Sequence, residues 1–339
     1  MAPLSEGRAA VYEEPLGPPG VRVQTRPRTA AARGDVAIAI RAASINHLDL
    51  WMAHGAQKVT PPRVIAADGA GVVETSGDPR WKPGDEVVVY PVVCDWVCAE
   101  CQAGENVKCP HFGVIGEHSE GTACELFHVD ARNVFPKPAA LSWEEAAAFP
   151  LTFLTAWRML TTRARLQRGE KVLVVGAGAG VAVAAIKIAK HLGATVFATS
   201  RSESKRQRAR EIGADEVFDS ADFGKAVRAA GGVDVVFEHV GPATLGESLR
   251  SVKQGGRIVF CGSTSGVKAE IPMFRVFWGQ LDLLGSTMGN ASEFQAVLDA
   301  MDEGMRPVVD STYPLSEVED ALKRLDAAEQ FGKVVLSIS

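Results

Sequence analysis

Lys171–Ile186 reads KVLVVGAGAGVAVAAI, and the fold of the chain turns on how that stretch is parsed. Val172 to Val175 form a short, uninterrupted aliphatic run, which suits a strand buried on both faces. Glycines at alternate positions follow, Gly176, Gly178 and Gly180, and Val181 then opens an alanine-rich segment that reads as helix. A strand that turns through glycine into a helix leaves the first N–H groups of that helix free, and glycine lets a phosphate approach the backbone closely. The stretch predicts a pyrophosphate site made by Gly176, Gly178, Gly180 and Val181, set against the plainer reading of a close-packed turn with no ligand.

Downstream of this point strands and helices alternate. A helix runs to His191, ATVFATS (194–200) follows, and a second helix ends at Gly213. EVFD (216–219), VDVVFEHV (233–240) and GRIVFCG (256–262) come next, separated by helical segments. Buried aliphatic strands alternating with helices specify a parallel, doubly wound α/β sheet. Upstream the chain is strand-like: VAIAI (36–40) alternates with the two-residue period of a half-buried strand, and GAGVVE (69–74) and GDEVVVY (84–90) continue that style. The change comes near residue 140, where LSWEEAAAF offers a capping box, Ser142 with Glu145, and opens a helix. After LDLLGST (281–287) two helices are expected, the second capped by Ser316 and Glu319, and then a last strand in KVVLSI (333–338).

Composition excludes several function classes. A chain of 339 residues favours two domains. With 36 basic against 41 acidic residues the net charge is −5, and nothing recommends a nucleic acid or an anionic membrane as partner. The basic run KRQRAR (205–210) reads as a solvated helix face. Glu6, Arg8, Glu13 and Glu14 interrupt any secretory core, and the uncharged run between Lys171 and Lys187 is too short and glycine-rich to span a bilayer. A soluble, cytoplasmic protein is expected. In that compartment the crowding of Cys94, Cys98, Cys101 and Cys109 into CDWVCAECQAGENVKC points to a metal before a disulfide. Cys124 and Cys261 stand apart and read as small buried hydrophobes.

The end of the strand after the glycines bears on which nicotinamide cofactor is used. An NAD site would place Asp or Glu there, whereas this chain has Thr199, Ser200, Arg201 and Ser202, with Lys205 a turn later. Ser200, Arg201 and Lys205 can hydrogen-bond a 2′-phosphate and offset its charge, and Glu203 lies past the strand end. NADPH is expected, against the alternative that Arg201 is an ordinary surface arginine.

AASINHLDLW (42–51), AADGAGVVE (66–74), the cysteine loop, LTFLTAWRML (151–160), VLVVGAGAGVAVAAI, FEHVG (237–241), FCGSTSG (260–266), LLGSTMG (283–289) and FGKVVL (331–336) together resemble the medium-chain dehydrogenase/reductases. That family includes zinc alcohol dehydrogenases and zinc-free quinone and enoyl reductases. The resemblance implies a GroES-like, β-rich catalytic domain built from residues 1–140 and 288–339 and a Rossmann domain at 141–287. It also implies which positions would hold a catalytic zinc: Asn46, Ala67 (with Asp68 after it) and a residue near Leu151, none of which supplies a thiolate or imidazole. A Lewis-acid zinc is therefore not expected. A structural zinc is, because Cys98, Cys101 and Cys109 keep the family's spacing of two and then seven intervening residues. The fourth ligand is Cys94 or Asp95, and the softer thiolate of Cys94 is preferred.

Without a catalytic metal, reduction of a conjugated C=C is easier than reduction of an isolated ketone, because hydrogen bonds alone can hold an enolate. The expected activity is NADPH-dependent reduction of a conjugated carbonyl compound, an enone, enoyl thioester or quinone. Asn46 is placed beside nicotinamide and substrate, with a loop-capping asparagine as the alternative, and His47 can relay a proton. By resemblance Thr155 contacts the nicotinamide side, His239, Val240, Gly262 and Ser263 line the cofactor site, and Lys333 reaches the pyrophosphate. Trp51, Tyr90, Phe112 and Trp278 are candidate pocket walls. Other readings stay open: a zinc-type alcohol dehydrogenase, a reductive carboxylase of enoyl thioesters using Asn46, Glu117 and His239, or a non-catalytic NADPH-binding protein. A homodimer is expected.

Overall fold

The computed structural model describes residues 5–339. No helix among them is long and apolar enough to cross a membrane. The chain forms two compact units, one of Met1–Leu151, Asn290–Asp302 and Val308–Ser339, the other of Thr152–Gly289 and Glu303–Pro307.

The first unit is β-rich and is organised around the strand Asp35–Ile45. On one side it pairs antiparallel with Asp68–Ser76, Ser44 opposite Asp68. On the other it pairs antiparallel with the C-terminal strand Lys333–Ser337, Val334 opposite Ile45. This register brings Asn46, Asp68 and Lys333 to one end of three adjacent strands, although the sequence scatters them. The alternation in VAIAI predicts one wet face, but Val36, Ala37, Ile38 and Ile40 are all buried. The helix Trp143–Ala148 packs on all three strands, and its buried Ala146, Ala147 and Ala148 allow close approach. Ser142 and Glu145 cap that helix reciprocally, at 3.2 and 3.0 Å. Each buried aliphatic side chain contributes about 1.5–3 kcal/mol on leaving water, which strongly favours this register over a slipped one.

Because that helix packs on the first unit's strands, the unit runs to Leu151, past the expected boundary at 140, and its C-terminal part resumes at Asn290. The last helix also differs from expectation. It spans Val318–Asp326 after a 3-10 turn at Leu315–Glu317, and its N-cap, Glu317, makes no side-chain cap, so Ser316 and Glu319 do not form the expected pair there.

The second unit is the expected doubly wound sheet. Six parallel strands run, in spatial order, Glu216–Asp219, Thr195–Ser200, Lys171–Val174, Val233–Glu238, Val252–Phe260 and Asp282–Gly285. Lys171–Val174 is first in the chain and central in the sheet, so the winding reverses between it and Val233–Glu238. In such sheets ligands bind outside the carboxyl ends of the strands at that reversal. Gly176 and His239 lie there.

Candidate active site

In the second unit the glycine turn is tied to two strand ends. Val175 N–H donates to Phe237 O at 3.1 Å and Ala177 N–H to Thr199 O at 2.7 Å, while Gly176 N–H donates to Thr199 Oγ1 at 3.1 Å. Gly178 has φ +128°, and a Cβ there would come within 2.9 Å of Lys205 Cδ, so the Lys205 side chain lies across the loop. A Cβ at Gly176 would stand 3.2 Å from His239 Nε2 and from Val240 Cγ2, and one at Gly262 would stand 2.6 Å from His239 O. The fold thus gathers Gly176, Gly178, Lys205, His239, Val240 and Gly262, with exposed Ser263 next in the chain. The helix Gly180–His191 follows Ala179 without a side-chain cap, so its first N–H groups, near half-buried Gly180 and Val181, are open to an anion.

Glu238 holds the far wall of this region. Its buried carboxylate accepts from Val240 N–H at 2.8 Å, Gly241 N–H at 3.1 Å and Ser248 Oγ at 2.7 Å. Next to it, His239 Nε2 is sealed from solvent and makes no hydrogen bond of good geometry among the described residues. Burial pushes its pKa down, so the imidazole is neutral at pH 7. Thr155, placed on the nicotinamide side by resemblance, is buried with its hydroxyl turned to Met288 Sδ at 3.7 Å.

At the end of Thr195–Ser200, Ser200 is buried and Arg201 exposed. Arg206 was not singled out by the sequence, which read KRQRAR as a solvated face. Its guanidinium donates to Ser200 O at 2.8 Å, Asp219 at 2.5 Å and Glu203 at 2.6 Å, offsetting both acids beside Ser200. Its place in a charged run hid it; the signal is its spacing of three residues from Glu203.

The first unit holds a buried cluster of four polar side chains with Asp68 at its centre. Asp68 Oδ2 accepts from Ser44 Oγ at 3.0 Å, Asn46 Nδ2 at 2.9 Å and Lys333 Nζ at 3.0 Å. Its Oδ1 accepts from Leu151 N–H at 2.7 Å. Lys333 Nζ also donates to Asn46 Oδ1. Asp68 is 0%, Lys333 4% and Asn46 7% exposed, so water screens these charges little. Lys333, expected to reach a pyrophosphate, has its ammonium seated by the strand register against Asp68 and Asn46. Asn46 does cap the helix His47–Ala53, and it also belongs to this cluster. His47 begins that helix and is half-buried. Asp49 accepts from Asn46 N–H at 2.7 Å and Ala66 N–H at 2.8 Å. Burial pushes its pKa up to about 6.

In the cysteine loop, the ligand atoms of Asp95, Cys98, Cys101 and Cys109 all lie within 4.8 Å of one another. Cys94, the preferred fourth ligand, is outside this group. Trp96 takes a φ of +62° between it and Cys98, and Cys94 Sγ instead accepts from Asn106 Nδ2 at 3.8 Å. Asp95 is fixed by the N–H groups of Cys98 and Val97, each at 2.9 Å, which hold its carboxyl well below the usual range. Three thiols and one carboxylate suit a closed tetrahedral site for a borderline-soft dication.

Two further expectations meet the structure here. Tyr90 is fully buried among Trp96, Phe135 and Phe294 and is core, not a pocket wall. Trp51 and Phe112 are half-buried and Trp278 is exposed. Burial pushes the Cys124 and Cys261 thiols up to about 12, so neither is a nucleophile at neutral pH.

Comparison with known proteins agrees with this architecture. A zinc-binding dehydrogenase family model matches residues 180–303, and an alcohol dehydrogenase GroES-like domain model matches residues 32–139. The crotonyl-CoA carboxylase/reductase of Cereibacter sphaeroides is 30% identical over 327 residues, spanning 85% of this chain and 76% of its own. The acryloyl-coenzyme A reductase of Sulfurisphaera tokodaii is 26% identical over 322 residues, spanning 94% and 96%. A solved structure of an NAD-dependent alcohol dehydrogenase superposes with a TM-score of 0.95 at 40% identity, covering 98% of this chain and 100% of the other.

Asp49 carries a pH signature. With a folded pKa of about 6 against an ordinary 3.8, the native chain retains a proton that the unfolded chain has released across that window. Its contribution to stability is whole below about pH 4 and is lost as pH rises through about 6, a change of roughly 3 kcal/mol. Asp49→Asn removes this titration, so the stability of the native chain relative to the variant should fall by up to about that amount between about pH 4 and 7. Chemical denaturation of both across that range measures it; a pH-independent difference would mean that Asp49 ionises normally.

Proposed function

The chain belongs to the medium-chain dehydrogenase/reductase family, and from that premise we propose that it is an NADPH-dependent reductase, without catalytic zinc, of the C=C bond conjugated to an enoyl thioester. The observation that carries the reading is the Asn46–Asp68–Lys333 cluster. An ammonium stands at hydrogen-bond distance from Asn46 and Asp68, where resemblance would put the ligands of a catalytic zinc. A dication there would be repelled by Lys333, the Ala67 side chain offers no ligand atom, and Leu151 contributes an N–H, which binds anions and not cations. An alcohol dehydrogenase that polarises an isolated carbonyl with zinc fits these residues poorly. Two relatives are named for crotonyl-CoA and acryloyl-CoA, both unsaturated thioesters.

When bound, NADPH supplies the hydride that goes to the β-carbon. The residues of the chain have four tasks. The glycine turn and the uncapped start of Gly180–His191 take the pyrophosphate. Ser200, Arg201 and Lys205 bind the 2′-phosphate, with Arg206 neutralising Glu203 and Asp219 beside them. Asn46 donates to the thioester oxygen as it gains charge, a bond of the kind worth roughly 3–4 kcal/mol to a transition state. His47 is the candidate relay for the proton taken up by the α-carbon.

The Asp95, Cys98, Cys101 and Cys109 set would hold a structural zinc remote in role from turnover, with Cys94 beside it. Free cysteines in such a cluster fit a reducing, cytoplasmic compartment. A homodimer is supported by an exposed apolar face, Met273, Phe274, Phe277 and Trp278, beside the open edge strand Asp282–Gly285. A reductive carboxylase is the second reading, favoured by His239 Nε2, which is buried without a hydrogen bond of good geometry among the described residues, and by the carboxylase/reductase relative.

Arg201→Ala should weaken NADPH binding by about 1–3 kcal/mol and leave NADH nearly unchanged; fluorescence titration giving equal losses for both would remove Arg201 from the 2′-phosphate site. Native mass spectrometry should read two chains with one zinc each. A monomer would overturn the pairing, and a metal-free chain the zinc. Incubation with 4-deuterated NADPH and crotonyl-CoA should place deuterium on the β-carbon. Robust oxidation of simple alcohols would sink the zinc-free reading, and a carboxylated product with bicarbonate present would favour the second one.

A further inference from the structure

An asparagine amide can present either end to a ligand, and its neighbours decide which. Lys333 can only donate, so its contact is with Asn46 Oδ1. Asp68 can only accept, so it holds one N–H of Asn46 Nδ2 at 2.9 Å. Turning the amide over would set oxygen against carboxylate and nitrogen against ammonium, so the orientation is locked. Asn46 has one further N–H on Nδ2, and no hydrogen bond among the described residues uses it.

The Lys333 ammonium also acts on that remaining N–H. A cation on the amide oxygen draws electron density out of the nitrogen and makes its hydrogens stronger donors. With Lys333 and Asp68 both almost without solvent contact, the effect is little screened. The arrangement depends on the C-terminal strand, because the pairing of Val334 with Ile45 sets Lys333 beside Asn46 across a separation of 287 residues.

We propose that Lys333 is a positioning residue for the reduction: through Asn46 it orients and strengthens the N–H that stabilises the enolate oxygen, supplying the positive charge that a metal supplies elsewhere. This rests on the enoyl thioester reductase reading and adds to it a residue outside substrate contact. The charge developed on the thioester oxygen comes from hydride addition at the β-carbon, and is discharged when the α-carbon takes a proton. Lys333 keeps its own protons throughout.

The test uses the full-length protein with NADPH and crotonyl-CoA. Lys333→Met should lower kcat by about 10- to 100-fold while the Kd for NADPH stays within about twofold. In an Asn46→Ala background the same change should lower kcat no further, because the two act as one unit. An equal loss in both backgrounds, or a loss confined to NADPH affinity, would overturn the proposal, the latter pointing to a pyrophosphate role. Should Lys333→Met not fold, the pair Lys333→Met with Asp68→Asn leaves no lone buried charge and is judged by the same criteria. Wild-type protein that does not reduce crotonyl-CoA would overturn the enoyl reductase reading and this proposal with it; active wild type whose variants lack this pattern would overturn the proposal alone.

Discussion

The contact between Lys333 and Asp68, 3.0 Å apart and almost without solvent, joins the last strand of the chain to the first unit's sheet. A buried ion pair gains little net stability, since desolvation of both charges offsets most of their attraction. Its value lies in what it specifies. A slip of one residue in the pairing of Lys333–Ser337 would carry the ammonium to the other face, leaving Asp68 buried without its counter-charge. That penalty locks the register, and with it the orientation of Asn46. Leu151 N–H and Ser44 Oγ occupy the remaining acceptor sites of Asp68, so the carboxylate is fully engaged.

The second unit solves a different problem with different means. Where the first unit concentrates charge in a dry place, the glycine turn is tied to Thr199 by the N–H groups of Gly176 and Ala177, and the helix Gly180–His191 that follows starts without a side-chain cap. Basic side chains then line the approach: Lys205 lies across the loop, and Arg206 cancels the two acids nearest Ser200. That cancellation would make the proposed site compatible with an added phosphate despite Glu203 and Asp219, because either acid alone would repel it.

The cysteine loop shows how a small change in spacing is absorbed. Cys94 is one residue too far from Cys98 for the family pattern, and the chain turns at Trp96 so that Asp95 joins the three thiols. Arg132 stacks 5.4 Å above the Trp96 ring, and Trp96 Nε1 donates to Asn133 Oδ1 at 3.2 Å. These contacts anchor the turn independently of any ion.

Local patterning determined much of this protein. The glycine turn between an aliphatic strand and an alanine-rich helix, the strand–helix alternation after it and the capping box at Ser142 all depend on neighbours within a few residues, and all could be read from order and spacing alone. The clustering of Cys98, Cys101 and Cys109 was legible from their spacing for the same reason. Other assignments needed the tertiary structure. The motif around Lys333 says nothing about register, and only antiparallel pairing with Asp35–Ile45 sets it beside Asn46 and Asp68. Asp68 was noted only as following a position without a ligand, since an aspartate at a strand start shows nothing of the four donors that converge on it from distant segments. The fourth member of the cysteine cluster depended on a backbone turn, and the quiet role of Arg206 on a strand end across the sheet. In each case the deciding contact is long-range, where geometry and not composition selects the partner.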